Sequence, residues 1–204
     1  WRTVTGDQPA AICVKASGFD MAAIEPAGHP ALDLAALLRL QRLDALDDEA
    51  MTNEVRRALF DARGPNPSIE TLVHAFLPAA FIDHTHADAI LTLTNQRDGL
   101  AMVQEAYWDS AAVIPYVEPG FALAKAVAAA AASKPSARAI VLMQHGLITW
   151  GATARESYLL HIALVTQAEQ IASARARRGA TVTVPAGAVS SAWDRLAEVA
   201  PILR

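Results

Sequence analysis

Cysteine is almost missing from this chain: Cys13 stands alone among 204 residues, so no intrachain disulfide can form. That scarcity points to a reducing compartment, and the expected location is cytoplasmic. An excess of charge of either sign is also lacking. The formal net charge is −4, with no basic stripe suited to nucleic acid and no polybasic segment suited to a membrane surface. No long apolar run occurs. The most apolar stretch, around residues 127–132, is built of alanine and is far too short to span a bilayer. The opening Trp1-Arg2-Thr3-Val4 has no initiator Met and no apolar run behind a basic cluster, so it does not read as a signal peptide. The expectation is that sequence is missing upstream. Neither a repeat nor a low-complexity linker divides the chain, and one domain over residues 1–204 is expected. What remains is 53% hydrophobic and 19% charged, the composition of a globular domain with a sizeable core.

Strands and helices mix without a clean βαβ rhythm. Residues 11–15 (Ala-Ile-Cys-Val-Lys) read as a short buried strand ended by the Ser17-Gly18 turn. Leucines at helical spacing predict a helix over 32–43, and a second follows over 49–62. Gly64-Pro65-Asn66-Pro67 is a strong breaker, after which Ser68 is the expected N-cap of a helix that Pro78 ends. Further strands are predicted over 81–86, 111–116, 138–144 and 147–150. Helices are predicted over 87–95, 97–108 and from Pro119-Gly120 to Ser133. Thr153-Ala154-Arg155-Glu156 is a capping box opening a long helix that ends near Arg178. From Val182 onward the pattern is indistinct. The expected architecture is α/β: a three-layer αβα domain around a mixed, mainly antiparallel sheet.

The sharpest chemical feature is His84-Thr85-His86. Two histidines at spacing two on a strand project to one side, where their nitrogens can meet one tetrahedral ion at about 2.0–2.1 Å each. Two surface histidines on an edge strand give the same pattern. A third ligand must come from elsewhere, and His145 is the natural candidate. It ends an apolar strand and precedes Gly146, which lets the backbone turn sharply. Three histidines without cysteine leave a coordination position open, as catalytic metal sites do. Glu70 is placed in the first turn of the expected helix, which leads within one short loop into the His-x-His strand. A carboxylate beside such a metal is a credible general acid or base, and it is equally a plain dipole-stabilising acid. His74, four residues on, shares a helix face with Glu70 and either touches substrate, orients the carboxylate, or is a structural histidine. His29 and His161 carry no motif context; His161 falls inside the long helix as a core or interface residue.

Pro67-Ser68-Ile69-Glu70, His84-Thr85-His86 with Ala87-Asp88-Ala89, Gln144-His145-Gly146-Leu147 and Gly151-Ala152-Thr153 together resemble the class II aldolase/adducin family. The similarity runs over roughly residues 12–172 with four motifs in order. It looks nearest to the aldolase part of bifunctional rhamnulose-1-phosphate aldolase/short-chain dehydrogenase proteins, alongside fuculose- and rhamnulose-1-phosphate aldolases. The resemblance implies one Zn2+ per subunit on His84, His86 and His145, with Glu70 moving a proton. It implies a ketose 1-phosphate as substrate, cleaved to dihydroxyacetone phosphate and an aldehyde. It further implies substrate-phosphate contacts at Ser17, Gly18 and Ser68 (also readable as plain turn and cap chemistry). Tyr116 corresponds loosely to a proton-donating tyrosine that reaches a neighbouring subunit's site, and a homotetramer is expected. A 4-epimerase of the same family and a non-catalytic adducin-like assembly module are the alternatives. Two departures stand out: Ile69 lies where the family often has a second serine, and the Gly/Asn phosphate loop expected upstream is not in this sequence.

Overall fold

Four strands form the sheet that organises the molecule: β3 (Phe81–Thr85), β4 (Ala112–Ile114), β5 (Ala139–Leu142) and β6 (Gly146–Gly151). Their order is β3-β6-β5-β4. The pairs β3/β6 and β5/β6 are antiparallel and β4/β5 is parallel, the mixed, mainly antiparallel sheet expected. A separate two-stranded sheet pairs β1 (Ala11–Cys13) with β2 (Ala31–Asp33). The computed structural model describes residues 1–177; the sequence reading from Val182 onward lies outside them. The chain divides into two compact units, Trp1–Glu169 and Gln170–Arg204. Both sheets and the site described below belong to the first.

One face of the four-stranded sheet is covered by α1 (Leu34–Leu40), α2 (Asp48–Arg57), α3 (Thr71–Phe76) and α6 (Phe121–Ser133). Leu37, Val55, Leu72, Phe76, Leu123 and Val127 pack with Ile140, Leu142 and Ile148 in the main core. A buried leucine or isoleucine contributes about 1.5–3 kcal/mol relative to an exposed one. That matters most for α3, whose six residues are too few to hold a helix in water. It forms because Leu72, Val73, Ala75 and Phe76 are all buried.

The opposite face carries α5 (Gly99–Tyr107), which packs with α4 (Asp88–Thr94), and the part of α7 (Ala154–Arg177) that lies in the first unit. Tyr107 donates its hydroxyl to Leu164 O at 2.8 Å, and Gln167 Nε2 donates to Ala106 O at 2.7 Å. Thr153 caps α7 by accepting from Glu156 N (3.1 Å), while the Glu156 carboxylate reaches back to Ala152 N. Among the described residues no helix is long and apolar enough to cross a membrane.

Two local expectations shift. The helix predicted over 32–43 begins only at Leu34. Residues before it extend to pair with β1, and Asp33 caps the helix through its Oδ1 on Ala36 N. The helix expected from Ser68 begins at Thr71. Ser68 instead closes a tight turn in which its Oγ accepts from Glu70 N at 3.1 Å.

Candidate metal centre

Strand β3 lies at the edge of the sheet, and along it Ile82 and His84 face the α3 side. His86 follows one residue past the last ladder pair, Thr85 with Leu147. His145 arrives on the three-residue turn between β5 and β6, where Gln144 takes φ 59°. A non-glycine residue in that left-handed region is strained, and such strain concentrates at functional turns. Gly146 then passes so close to β3 that a Cβ on it would lie 2.2 Å from Thr85 O and 3.2 Å from His86 Cα. The role expected of this glycine was a sharp backbone turn; the positive φ falls on Gln144 instead, and Gly146 lets the two histidine-bearing segments touch.

Glu70 precedes α3 and completes the cluster. Its Oε1 lies 2.9 Å from His84 Nε2, 2.9 Å from His145 Nε2 and 3.6 Å from His86 Nε2. His145 Nε2 and His86 Nε2 are 2.9 Å apart. All four donor atoms lie within 4.8 Å of one another. Four tetrahedral ligands on bonds of 2.0–2.1 Å would stand about 3.3 Å apart, and the observed separations straddle that value. The proton count points the same way. His84 Nδ1–H donates to Leu147 O at 3.0 Å, which leaves Nε2 as a bare lone pair aimed at the cluster. An ionised carboxylate there is also acceptor-only, so a cation is what such donors suit. Among the described residues His145 Nδ1 is the one buried side-chain nitrogen or oxygen with no hydrogen-bond partner. An orphan of that kind costs about 1–3 kcal/mol and is tolerated mainly where function demands it.

The electrostatics are mutual. Burial alone would push the Glu70 pKa up, but the close contacts with the His145 and His84 rings outweigh it and hold the carboxyl well below the usual range. Burial, then the neighbouring His84, pushes His86 down, although its side chain is the most open of the three at 56% exposure. The opening therefore lies on the His86 side.

The other expected residues fall as follows. His74 is not among the four clustered donors; it lines a groove with Phe76, Ile82 and Trp150. Burial, then the charge of His84, drives its pKa down to about 4. The Ser17-Gly18 turn sits beside the Ser68 turn, because Ala16 bridges Pro67 and Ser17 N donates to Asn66 O at 3.0 Å. Gly18 takes φ +81° with open space around it. Those two turns, distant in sequence, thus lie side by side, the second of them next to Glu70 in the chain. Tyr116 is half-exposed after β4 and makes no hydrogen bond to the cluster.

Sequence reasoning missed two things. The Glu70 carboxylate, expected beside the metal, stands directly among the histidine nitrogens, a contact only the position of α3 reveals. Behind β3, His161 Nε2 contacts Thr85 Oγ1 at 2.7 Å and its Nδ1 contacts Thr149 Oγ1 at 3.0 Å. Burial pushes the His161 pKa down. No sequence signal links a histidine in a helix to a threonine 76 residues earlier.

The chain matches the family model described as class II aldolase and adducin N-terminal domain over residues 3–172. The N-terminal class II aldolase domain of a conserved Thermoplasma acidophilum protein is 36% identical. It superposes with a TM-score of 0.79, covering 84% of this chain and 79% of that one. L-fuculose-1-phosphate aldolase from Thermus thermophilus shares the fold at 18% identity and a TM-score of 0.52, covering 81% of this chain and 79% of that one. A Bacillus subtilis protein described as uncharacterized oxidoreductase YuxG is 38% identical over 157 residues, which are 77% of this chain and 23% of that protein. The chain thus spans under a quarter of that relative's length. With the motifs, the fold and the His-Glu cluster in agreement, the chain belongs to the class II aldolase and adducin N-terminal domain family.

Proposed function

We propose that this chain is a zinc-dependent carbon–carbon lyase that cleaves a ketose 1-phosphate of the rhamnulose or fuculose type to dihydroxyacetone phosphate and an aldehyde. The observation that carries the reading is the meeting of three imidazole Nε2 atoms and Glu70 Oε1 within 4.8 Å. His84, His86 and His145 would hold the divalent ion, which when bound would supply Lewis-acid stabilisation of developing negative charge. His84 is locked in the ligating tautomer by Leu147 O. Glu70 is the proton carrier. In the cleavage the C4 hydroxyl loses its proton as the C3–C4 bond breaks to the aldehyde, and the electron pair left at C3 takes up a proton. Glu70 is 15% exposed, buried enough to be oriented and open enough to meet substrate carbon. The adjoining turns at Ser17-Gly18 and Ser68 are assigned to the substrate phosphate. Tyr116, half-exposed, is assigned to the proton at O4 in a neighbouring subunit of a homotetramer.

The test is elemental analysis of purified protein, then a screen of ketose 1-phosphates for dihydroxyacetone phosphate release. His84→Ala or His145→Ala is expected to abolish bound metal and lyase activity together. Activity that persists in chelator excludes the reading. Epimerised pentose phosphate with no released fragment favours the 4-epimerase instead. Bound metal without turnover of any sugar phosphate, in a chain that assembles, favours the adducin-like module.

A further inference from the structure

Thr85 lies between two of the cluster's histidines and faces the other way. Side chains alternate along β3, so Thr85 shares its face with Asp83, Leu147 and Thr149, toward α7. There a chain of hydrogen bonds can be ordered by counting protons. Thr149 donates its one hydroxyl proton to Ser157 O at 3.2 Å. It must then accept from His161 Nδ1–H, at 3.0 Å. That fixes His161 Nε2 as an acceptor, and Thr85 Oγ1–H donates to it at 2.7 Å. Ser157 Oγ–H returns to Thr149 O at 3.2 Å. Each proton in the series has one destination, and three of its four members, His161, Thr149 and Ser157, are buried.

We infer that His161 is a positioning residue for the metal centre, acting through the Thr85 hydroxyl to fix the strand end that carries His84 and His86. The inference rests on the reading of Glu70, His84, His86 and His145 as a metal site. Strand β3 has a ladder on one side only, and that ladder stops at Thr85. His86 lies beyond it. An edge strand held from one side frays at its end, yet ligand positions in a metal site must hold to about 0.2 Å. The Thr85–His161 bond supplies a tether perpendicular to the ladder, at the last paired residue. Ser157, one turn earlier on α7, ties the helix to β6 alone. His161 carries the connection across to β3.

The experiment uses the full chain, loaded with Zn2+ or Co2+ by competition against a chromophoric chelator, with unfolding measured in parallel. Thr85→Val keeps the shape of the side chain and removes its hydroxyl; His161→Phe removes both ring nitrogens. Each is expected to weaken metal binding by about 10–100-fold. The double variant should bind no more weakly than the worse single, because both break the same link. His161→Gln, with one donor and one acceptor, should recover part of the affinity. Ser157→Ala should lower stability while leaving metal affinity unchanged. If wild type binds no metal, the cluster reading fails and takes this inference with it. If wild type binds and Thr85→Val binds equally well, or the two losses add in the double variant, the positioning role alone is overturned. Thr85→Val carries the test by itself should His161→Phe not fold.

Discussion

Gly146→Ala is the substitution with the largest expected effect for a single methyl group. The added Cβ would lie 2.2 Å from Thr85 O, 3.1 Å from Thr85 C and 3.2 Å from His86 Cα. All three are backbone atoms, so no side chain can swing aside. A normal non-bonded approach is about 3.5 Å, so β6 must move off β3 by about 1 Å at that point. Overpacking of this kind costs about 1–3 kcal/mol, and rigid backbone neighbours put Gly146→Ala at the upper end. For a chain of this size about 3 kcal/mol corresponds to a fall in Tm of roughly 6–12 °C. The chemical effect is sharper. His145 is bonded to Gly146, and His86 is on the strand being pushed away. A shift of about 1 Å exceeds by several-fold the tolerance of about 0.2 Å in a metal site. Metal affinity should fall by at least the roughly 10–100-fold typical of an outer-shell change. Urea unfolding and a chelator-competition titration on the same preparation read both effects. Wild-type stability and affinity in Gly146→Ala would refute the close-approach argument. Lost stability with affinity intact would show that this contact does not govern the ligand geometry.

Glu70→Gln should retain the metal through the three histidines while slowing sugar-phosphate cleavage by about 10²–10⁴-fold; unchanged turnover removes Glu70 from the chemistry. Stripping the metal with chelator should lower Tm, and free Zn2+ at about 100 times its Kd should restore about 2.7 kcal/mol; a Tm that neither chelator nor zinc moves argues against a tight site. His74 supplies a pH test. Its pKa is held at about 4, by burial first and then by the charge of His84, against about 6.5 in the unfolded chain. Between those values the unfolded state binds more protons, so folding stability is lost as pH falls through the window, by roughly 3 kcal/mol in all. Urea unfolding at pH 7 and pH 5 should show about 2 kcal/mol less of this loss in His74→Gln than in wild type. Equal pH dependence of the two proteins would mean that His74 is not its source.

The fold class was legible from the mix of strand and helix patterns, and the candidate metal histidines from His84-Thr85-His86 together with the family resemblance of four motifs in order. Two histidines at spacing two on extended chain face one way, whereas the close approach at Gly146 shows only in the structure. Element boundaries were less legible where long-range pairing overruled local preference. Leu32 belongs by spacing to a helix, yet it pairs with Ile12 in β1 because the intervening chain folds back and brings them together. Ser68 reads as a cap, yet its Oγ closes a turn one step before the helix begins.

Sequence, with the resemblance its motifs carry, thus pointed to His84, His86 and His145 as candidate ligands with Glu70 beside them, and roughly to the elements that bear them. Tertiary structure alone decided that Glu70 would stand among the donors, that His74 would not be one of them, and that His161 would reach Thr85 from the far side of the sheet. The physical reason is range. Side-chain alternation and turn chemistry act over a few residues and can be read locally. The placement of a six-residue helix, too short to exist unsupported, is set by the burial of Leu72, Val73 and Phe76 against elements that the chain reaches only much later.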